Sequence, residues 1–195
     1  RRAVLDANLD TVHHGLVIST FGNASGIDRN AGRILIKPSG VAYDRLTPAD
    51  MVPCDLDGRS LDNRLRPSSD LATHAVLYRA FADIGGVVHT HSTYATIMAQ
   101  SHRPVPCLGT THADYFHGTI PVTRDLTAEE IAQDYVGNTG AVIVETFADL
   151  DPLAIPAVLV AGHGPFTWGR TPAEAVHNAL ILEQVAKMAW HATVL

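Results

Sequence analysis

The stretch Val87-Val88-His89-Thr90-His91-Ser92-Thr93 ("VVHTHST", residues 87–93) follows Gly85-Gly86 and sets two histidines one residue apart behind a β-branched pair. Valines opened by a glycine break read as a strand. Alternate residues of a strand share a face, so the imidazoles of His89 and His91 converge on one side. Such a pair is one edge of a metal site or two hydrogen-bonded histidines on a half-buried strand. Spacing alone does not separate these readings, because 11 histidines in 195 residues give about 0.6 such pairs by chance.

Outward from that strand, helical and extended patterns mix. Pro67-Ser68-Ser69-Asp70 opens a helix with strong N-cap residues, continued by Ala72, Val76 and Ala80 with Leu77 and Phe81. "TYATIMAQ" (93–100) reads as a short helix. Residues 1–14 carry Leu5, Leu9, Val12 and Leu16 at helical spacing and stop at Gly15. "LVIST" (16–20) reads as a strand, residues 21–40 as a hairpin turning at Asn30-Ala31-Gly32, and "TPADM" as a helical turn before the strand "MVPCDL". Further on, "TAEE" (127–130) is a capping box, "AVIVET" (141–146) and "AVLVAG" (157–162) read as buried strands, and "GPFTWG" extends the sheet. Thr171, Pro172 and Glu174 start a last helix that runs to the C-terminus. Hairpins and glycine breaks are too frequent for a purely parallel doubly wound sheet. The predicted architecture is α/β: a mixed sheet with helices on both faces, in one domain spanning 1–195.

The totals narrow the function classes. At 46% hydrophobic residues the chain can bury a real core, and a net charge of −6 argues against a nucleic-acid partner. No apolar run approaches a membrane span, and no signal-peptide pattern opens the sequence, which begins at Arg1. Cys54 and Cys107 are too few and too isolated for a disulfide framework or a Cys-based zinc site, which fits a cytoplasmic setting.

A catalytic metal wants a third ligand. His163, between Gly162 and Gly164 after a strong apolar strand, is the best candidate; a plain loop histidine is the alternative. His74 reads as an ordinary residue of an amphipathic helix, and His13-His14 as a helix end. Asp70 is either a first-turn acid that complements the helix dipole or a carboxylate beside the metal. Three clusters suit a phosphate: Gly22-Asn23-Ala24-Ser25, Lys37-Pro38-Ser39-Gly40 and Pro67-Ser68-Ser69-Asp70. They offer an amide, an ammonium, hydroxyls and a helix N-terminus, although such clusters also mark turns. Neither a Walker nor a dinucleotide fingerprint is present. In "TTHADYFHGTIP" (110–121), Asp114 has apolar and aromatic neighbours of the kind that suit a carboxylate to acid–base work, or it stabilises a turn.

The ordered blocks "GNAS", "KPSGVAYDRLTPADMV", "RPSSD", "THAVLYRAF", "GGVVHTHS", "GTTHADYFHGTIPVTR", "VIVETF" and "HGPFTWG" together resemble the class II sugar-phosphate aldolase/epimerase family, in its epimerase branch. The likeness runs from about residue 4 to about residue 190. It implies a three-layer α/β/α sandwich with a largely antiparallel sheet, in a fourfold homotetramer with active sites between subunits. By the same resemblance His89, His91 and His163 hold a divalent metal with Asp70 near or bound to it. That metal is most often Zn2+, and Mn2+ or Co2+ suit the same ligands. Gly22, Asn23, Ser39, Gly40, Ser68 and Ser69 would surround a substrate phosphate, with Lys37 supplying charge. Asp114 matches the family's acid–base aspartate.

The activity implied is C4 epimerisation of L-ribulose 5-phosphate to D-xylulose 5-phosphate by retro-aldol and aldol steps, as in arabinose catabolism. The family's epimerases also use a tyrosine from a C-terminal tail. The sequence ends at Leu195, and none of Tyr43, Tyr78, Tyr94, Tyr115 or Tyr135 matches it. Two rival functions stand beside this one. A true aldolase would cleave a sugar phosphate such as L-fuculose 1-phosphate, but that branch resembles "PSSE" where this chain has Asp70. A metal-binding phosphosugar module without turnover is the other.

Overall fold

In the computed structural model, which describes residues 1–195, the Val87-Val88-His89 segment is a central strand. The sheet comprises β1 (Asn23–Asp28), β2 (Arg33–Ile36), β3 (Val52–Cys54), β4 (Gly86–His89), β5 (Ala157–Leu159) and β6 (Pro165–Gly169), in the order β3-β2-β1-β4-β6-β5. Every ladder is antiparallel; the one parallel pairing is an isolated bridge between Val122 and Leu159.

Six helices accompany the strands: α1 (Arg2–His13), α2 (Leu71–Ala80), α3 (Thr93–Gln100), α4 (Thr110–Ala113), α5 (Ala128–Thr146) and α6 (Pro172–Thr193). Strand alternation along β4 sorts them into layers. Val87 joins Ile34, Ile36, Phe166 and Trp168 in a core shared with Leu71, Ala75 and Tyr78 of α2 and Ile143 of α5. Val88 points the other way, with Ala24, and meets Ala7 of α1 and Ala175, Val176 and Ala179 of α6. The result is an α/β/α sandwich. His89 has the parity of Val87, so its ring emerges on the α2 side.

Polar side chains fix the layers. Asn8 of α1 donates to the Val4 carbonyl (2.7 Å) and the Ala24 carbonyl (3.0 Å) and accepts the Ala24 N–H (2.8 Å), which pins α1 to β1. The helix α6 begins as its sequence requires: Thr171 Oγ accepts the Glu174 N–H at 3.1 Å. A Cβ on Gly86 would lie 2.4 Å from Pro172 Cα, so α6 starts hard against β4 where only glycine leaves room. No helix of the chain is long and apolar enough to cross a membrane.

Two strand expectations are corrected. Residues 16–20 form no strand. The Leu16 N–H closes the end of α1 on the Thr11 carbonyl at 2.9 Å, and Ser19 turns the chain with φ 57°. Residues 141–146 are the last turns of α5, not a strand. Val142 and Ile143 are buried there, and Gly140 stands so close to Val76 of α2 that a Cβ would come within 2.7 Å. An apolar β-branched run serves a buried helix face as well as a strand.

Candidate active site

Three histidines meet at the end of β4. His89 is the last residue of that strand, paired with Asn23 on one side and Phe166 on the other. His91 follows in the loop before α3. His163 sits in the turn from β5 to β6, where Gly162 has φ 68° and Gly164 lies so near the Thr90 carbonyl that a Cβ would approach it to 3.0 Å. The ring centroids are 4.7–5.1 Å apart, and one ligand nitrogen of each lies within 4.8 Å of the others.

The donor chemistry fits a cation. His89 Nδ1–H donates to the Pro165 carbonyl at 2.9 Å, which leaves a lone pair on Nε2. That nitrogen stands 3.1 Å from His91 Nε2. Two nitrogens bound to one tetrahedral zinc stand about 3.4 Å apart, given bonds of about 2.0–2.1 Å, so the spacing is already close to a ligand pair's. Burial lowers the His89 pKa, and burial with the neighbouring His89 and His91 lowers that of His163 to about 4. Both rings are therefore neutral at pH 7, the form that binds metal.

Asp70 is not a side-chain cap of α2. Its carboxylate instead accepts Asn23 Nδ2–H at 2.6 Å, which orients that amide and leaves Asn23 Oδ1 buried without a partner. Burial disfavours the charge on Asp70, but His89, His74 and the Asn23 amide outweigh it and hold the pKa below the usual carboxylate value. His74, read from sequence as an ordinary helix residue, is fully buried. Its Nδ1 is 2.7 Å from Ser25 Oγ, which is 2.8 Å from the Tyr78 hydroxyl. Burial drives its pKa down to about 3.

His89, His91, His163, Asp70 and Asn23 face one cavity of about 380 Å³, walled also by Gly22, Lys37, Ser39, Gly40, Ser68 and Ser69, while His74, Ser25 and Tyr78 are buried behind it. Backbone bonds stitch the two serine loops together: Ser39 N–H to the Arg66 carbonyl and Ser68 N–H to the Lys37 carbonyl, each 2.9 Å. Lys37 is buried, with its ammonium 4.6 Å from the Tyr43 ring centre, and burial lowers its pKa. Hydroxyls, an ammonium and the start of α2 make this side receptive to an anion.

The residues singled out from sequence meet in this cavity, except Asp114. That carboxylate follows α4 on the exposed surface, without the apolar enclosure its sequence neighbours suggest. Sequence reasoning missed Thr20 and Phe21, which line the cavity; Phe21 stacks on His91 at 6.4 Å. It also missed Tyr135, whose hydroxyl is 3.3 Å from His163 Nδ1. Adjacency to Gly22-Asn23 is a usable signal for the first two, whereas nothing local marks Tyr135.

The three-layer fold thus gathers three histidines that could hold a metal ion and a serine-rich anion cradle around one cavity. The chain belongs to the class II aldolase family: the family model for the class II aldolase and adducin N-terminal domain matches residues 2–190. L-ribulose-5-phosphate 4-epimerase UlaF of Salmonella paratyphi B is 53% identical over 190 residues, which cover 97% of this chain and 83% of that protein. Among solved structures, an L-fuculose 1-phosphate aldolase has a TM-score of 0.83 at 25% identity, over 98% of this chain and 85% of that one. The L-fuculose-1-phosphate aldolase of Thermus thermophilus has a TM-score of 0.76 at 25% identity, over 99% and 93%.

Proposed function

We propose that this protein is an isomerase that epimerises L-ribulose 5-phosphate at C4 to D-xylulose 5-phosphate. One observation carries the reading: His89, His91, His163 and Asp70 share a cavity with Lys37, Ser39, Ser68 and Ser69. The 53% identity to a relative named for this activity supports the same choice.

In this reading the three imidazoles, with Asp70 beside them, hold a divalent cation, and zinc suits the donor set best. When bound, that ion supplies Lewis-acid chemistry, stabilising the negative charge left on the ketose fragment as C3–C4 breaks. Asn23 keeps the Asp70 carboxylate fixed on the histidine side. Ser39, Ser68, Ser69 and the backbone at Gly22 and Gly40 bind the phosphate, and Lys37 offsets its charge. Those contacts keep the aldehyde fragment in place while its carbonyl turns, so that re-addition to the opposite face inverts C4. Asp114 exchanges the C4 hydroxyl proton. Because Asp114 lies outside this chain's own cavity, we assign it to the cavity of a neighbouring copy, which requires an oligomer; a homotetramer with shared sites is the arrangement the family resemblance implies. The unpaired cysteines, Cys54 buried and Cys107 exposed, suit a reducing cytoplasm.

The deciding experiment incubates zinc-loaded protein with L-ribulose 5-phosphate and assays D-xylulose 5-phosphate together with free glycolaldehyde phosphate. Xylulose 5-phosphate with little free aldehyde is expected. Accumulation of the free aldehyde would instead make the protein an aldolase, like its structural neighbours. Absence of turnover despite bound zinc would leave a binding module.

A further inference from the structure

The helix α5 is broken in its middle. Asp134 has φ −160° and ψ 82°, and a new helical segment starts directly after it. Its carboxylate caps that segment by accepting the Gly137 N–H at 3.0 Å. A Cβ on Gly137 would fall 2.1 Å from Asp134 Oδ2, so the carboxylate sits close over this glycine and would have to shift for a larger residue. Around the break, Asn138 Nδ2–H donates to the Glu130 carbonyl at 2.8 Å. Thr73 Oγ of α2 donates to the Val136 carbonyl at 2.7 Å.

The residue this device presents is Tyr135. Its ring lies 6.0 Å from that of His163, tilted by 44°, and its hydroxyl makes the one side-chain hydrogen bond of His163, at Nδ1. His89 has its own Nδ1 tied to the Pro165 carbonyl. His163 stands in a turn, and without Tyr135 its ring has no comparable tether. Tyr135 does not line the cavity, so it acts through His163 and not on substrate.

We infer that Tyr135 is a positioning residue for the metal centre: its hydroxyl oxygen accepts the Nδ1 proton of His163 and leaves Nε2 as the atom that binds the ion. This rests on the metal reading given above. Partners of this kind fix both the tautomer and the orientation of a ligating imidazole.

The test is Tyr135→Phe, which removes one oxygen from a partly exposed ring. Zinc affinity of purified wild-type and variant protein is measured by chelator competition, and the visible spectrum of the Co2+ complex is recorded. The variant is expected to keep the wild-type circular dichroism, to bind zinc about 10–100-fold more weakly, and to show displaced Co2+ bands. Thr73→Val, which leaves the Tyr135 hydroxyl in place but frees the break in α5, is expected to give a smaller loss in the same direction. Zinc affinity within roughly twofold of wild type and an unchanged Co2+ spectrum in Tyr135→Phe would overturn the inference. Wild-type protein that itself binds no zinc would overturn the metal reading, and the inference with it.

Discussion

The two sides of the cavity are built differently. On the histidine side the groups are held by the sheet and by one another. His89 ends a central strand, stacks on Phe166 with 4.2 Å between centroids, and is tied to Pro165; Asp70 is tied to Asn23. On the serine side, Ser39, Gly40 and Ser69 are exposed loop residues, and the Lys37 ammonium has one hydrogen bond, to the Pro38 carbonyl at 3.3 Å. A cation demands fixed distances and a defined tautomer. A phosphate is large and symmetric and is satisfied by charge and several adaptable donors. The histidine side is therefore expected to govern chemistry, and the serine side retention of substrate.

The sharpest way to break that division is His89→Ala. Zinc binding should be lost and kcat should fall about 10³-fold or more, the loss of several kcal/mol of charge stabilisation; steady-state kinetics with metal analysis checks this. On the serine side, Lys37→Met or Ser69→Ala should raise KM about 10-fold or more, as loss of a hydrogen bond to a charged group does, with zinc affinity unchanged. Equal falls in kcat and kcat/KM there would mean that these groups act in the chemistry.

Acid lability should map to the histidine side. The folded pKa of His74 is about 3 against an ordinary value of 6.5, so between those values the unfolded chain takes up a proton that the folded one refuses. Stability is full above pH 6.5 and is lost as pH falls toward 3, by on the order of 5 kcal/mol. Denaturant unfolding across that window should show the loss, and His74→Gln should flatten it. The smallest effect should come from chelation. Because hydrogen bonds and sheet pairing already gather the ligands, metal-free protein should keep its far-ultraviolet circular dichroism and lose only the stability that binding contributes.

Much of the site was legible because strand parity is strict. His89 and the helix-opening serines could be placed by local rules, and His163 by the glycines around it. His91 shares the parity of His89 but lies just past the end of the strand. What was not legible depended on partners distant in sequence. The 141–146 run continues a helix whose Gly140 packs on Val76 of α2 and whose Ile143 is buried with Leu71 and Ala75 of that helix. His74 is buried against Ser25 of β1 and Phe166 of β6. Tyr135 reaches His163 because a break at Asp134 redirects α5, and the exposed position of Asp114 is a property of the tertiary fold. Sheet order, too, required the crossovers that bring β6 beside β4.

A crystal soaked with zinc and inorganic phosphate, with data collected at the zinc absorption edge, tests the two-sided cavity most directly. The account predicts a single strong anomalous peak about 2.0–2.1 Å from one nitrogen each of His89, His91 and His163, with phosphate among Ser39, Ser68, Ser69 and Lys37. Zinc bound elsewhere, or phosphate seated on the histidines with the serine loops empty, would contradict it.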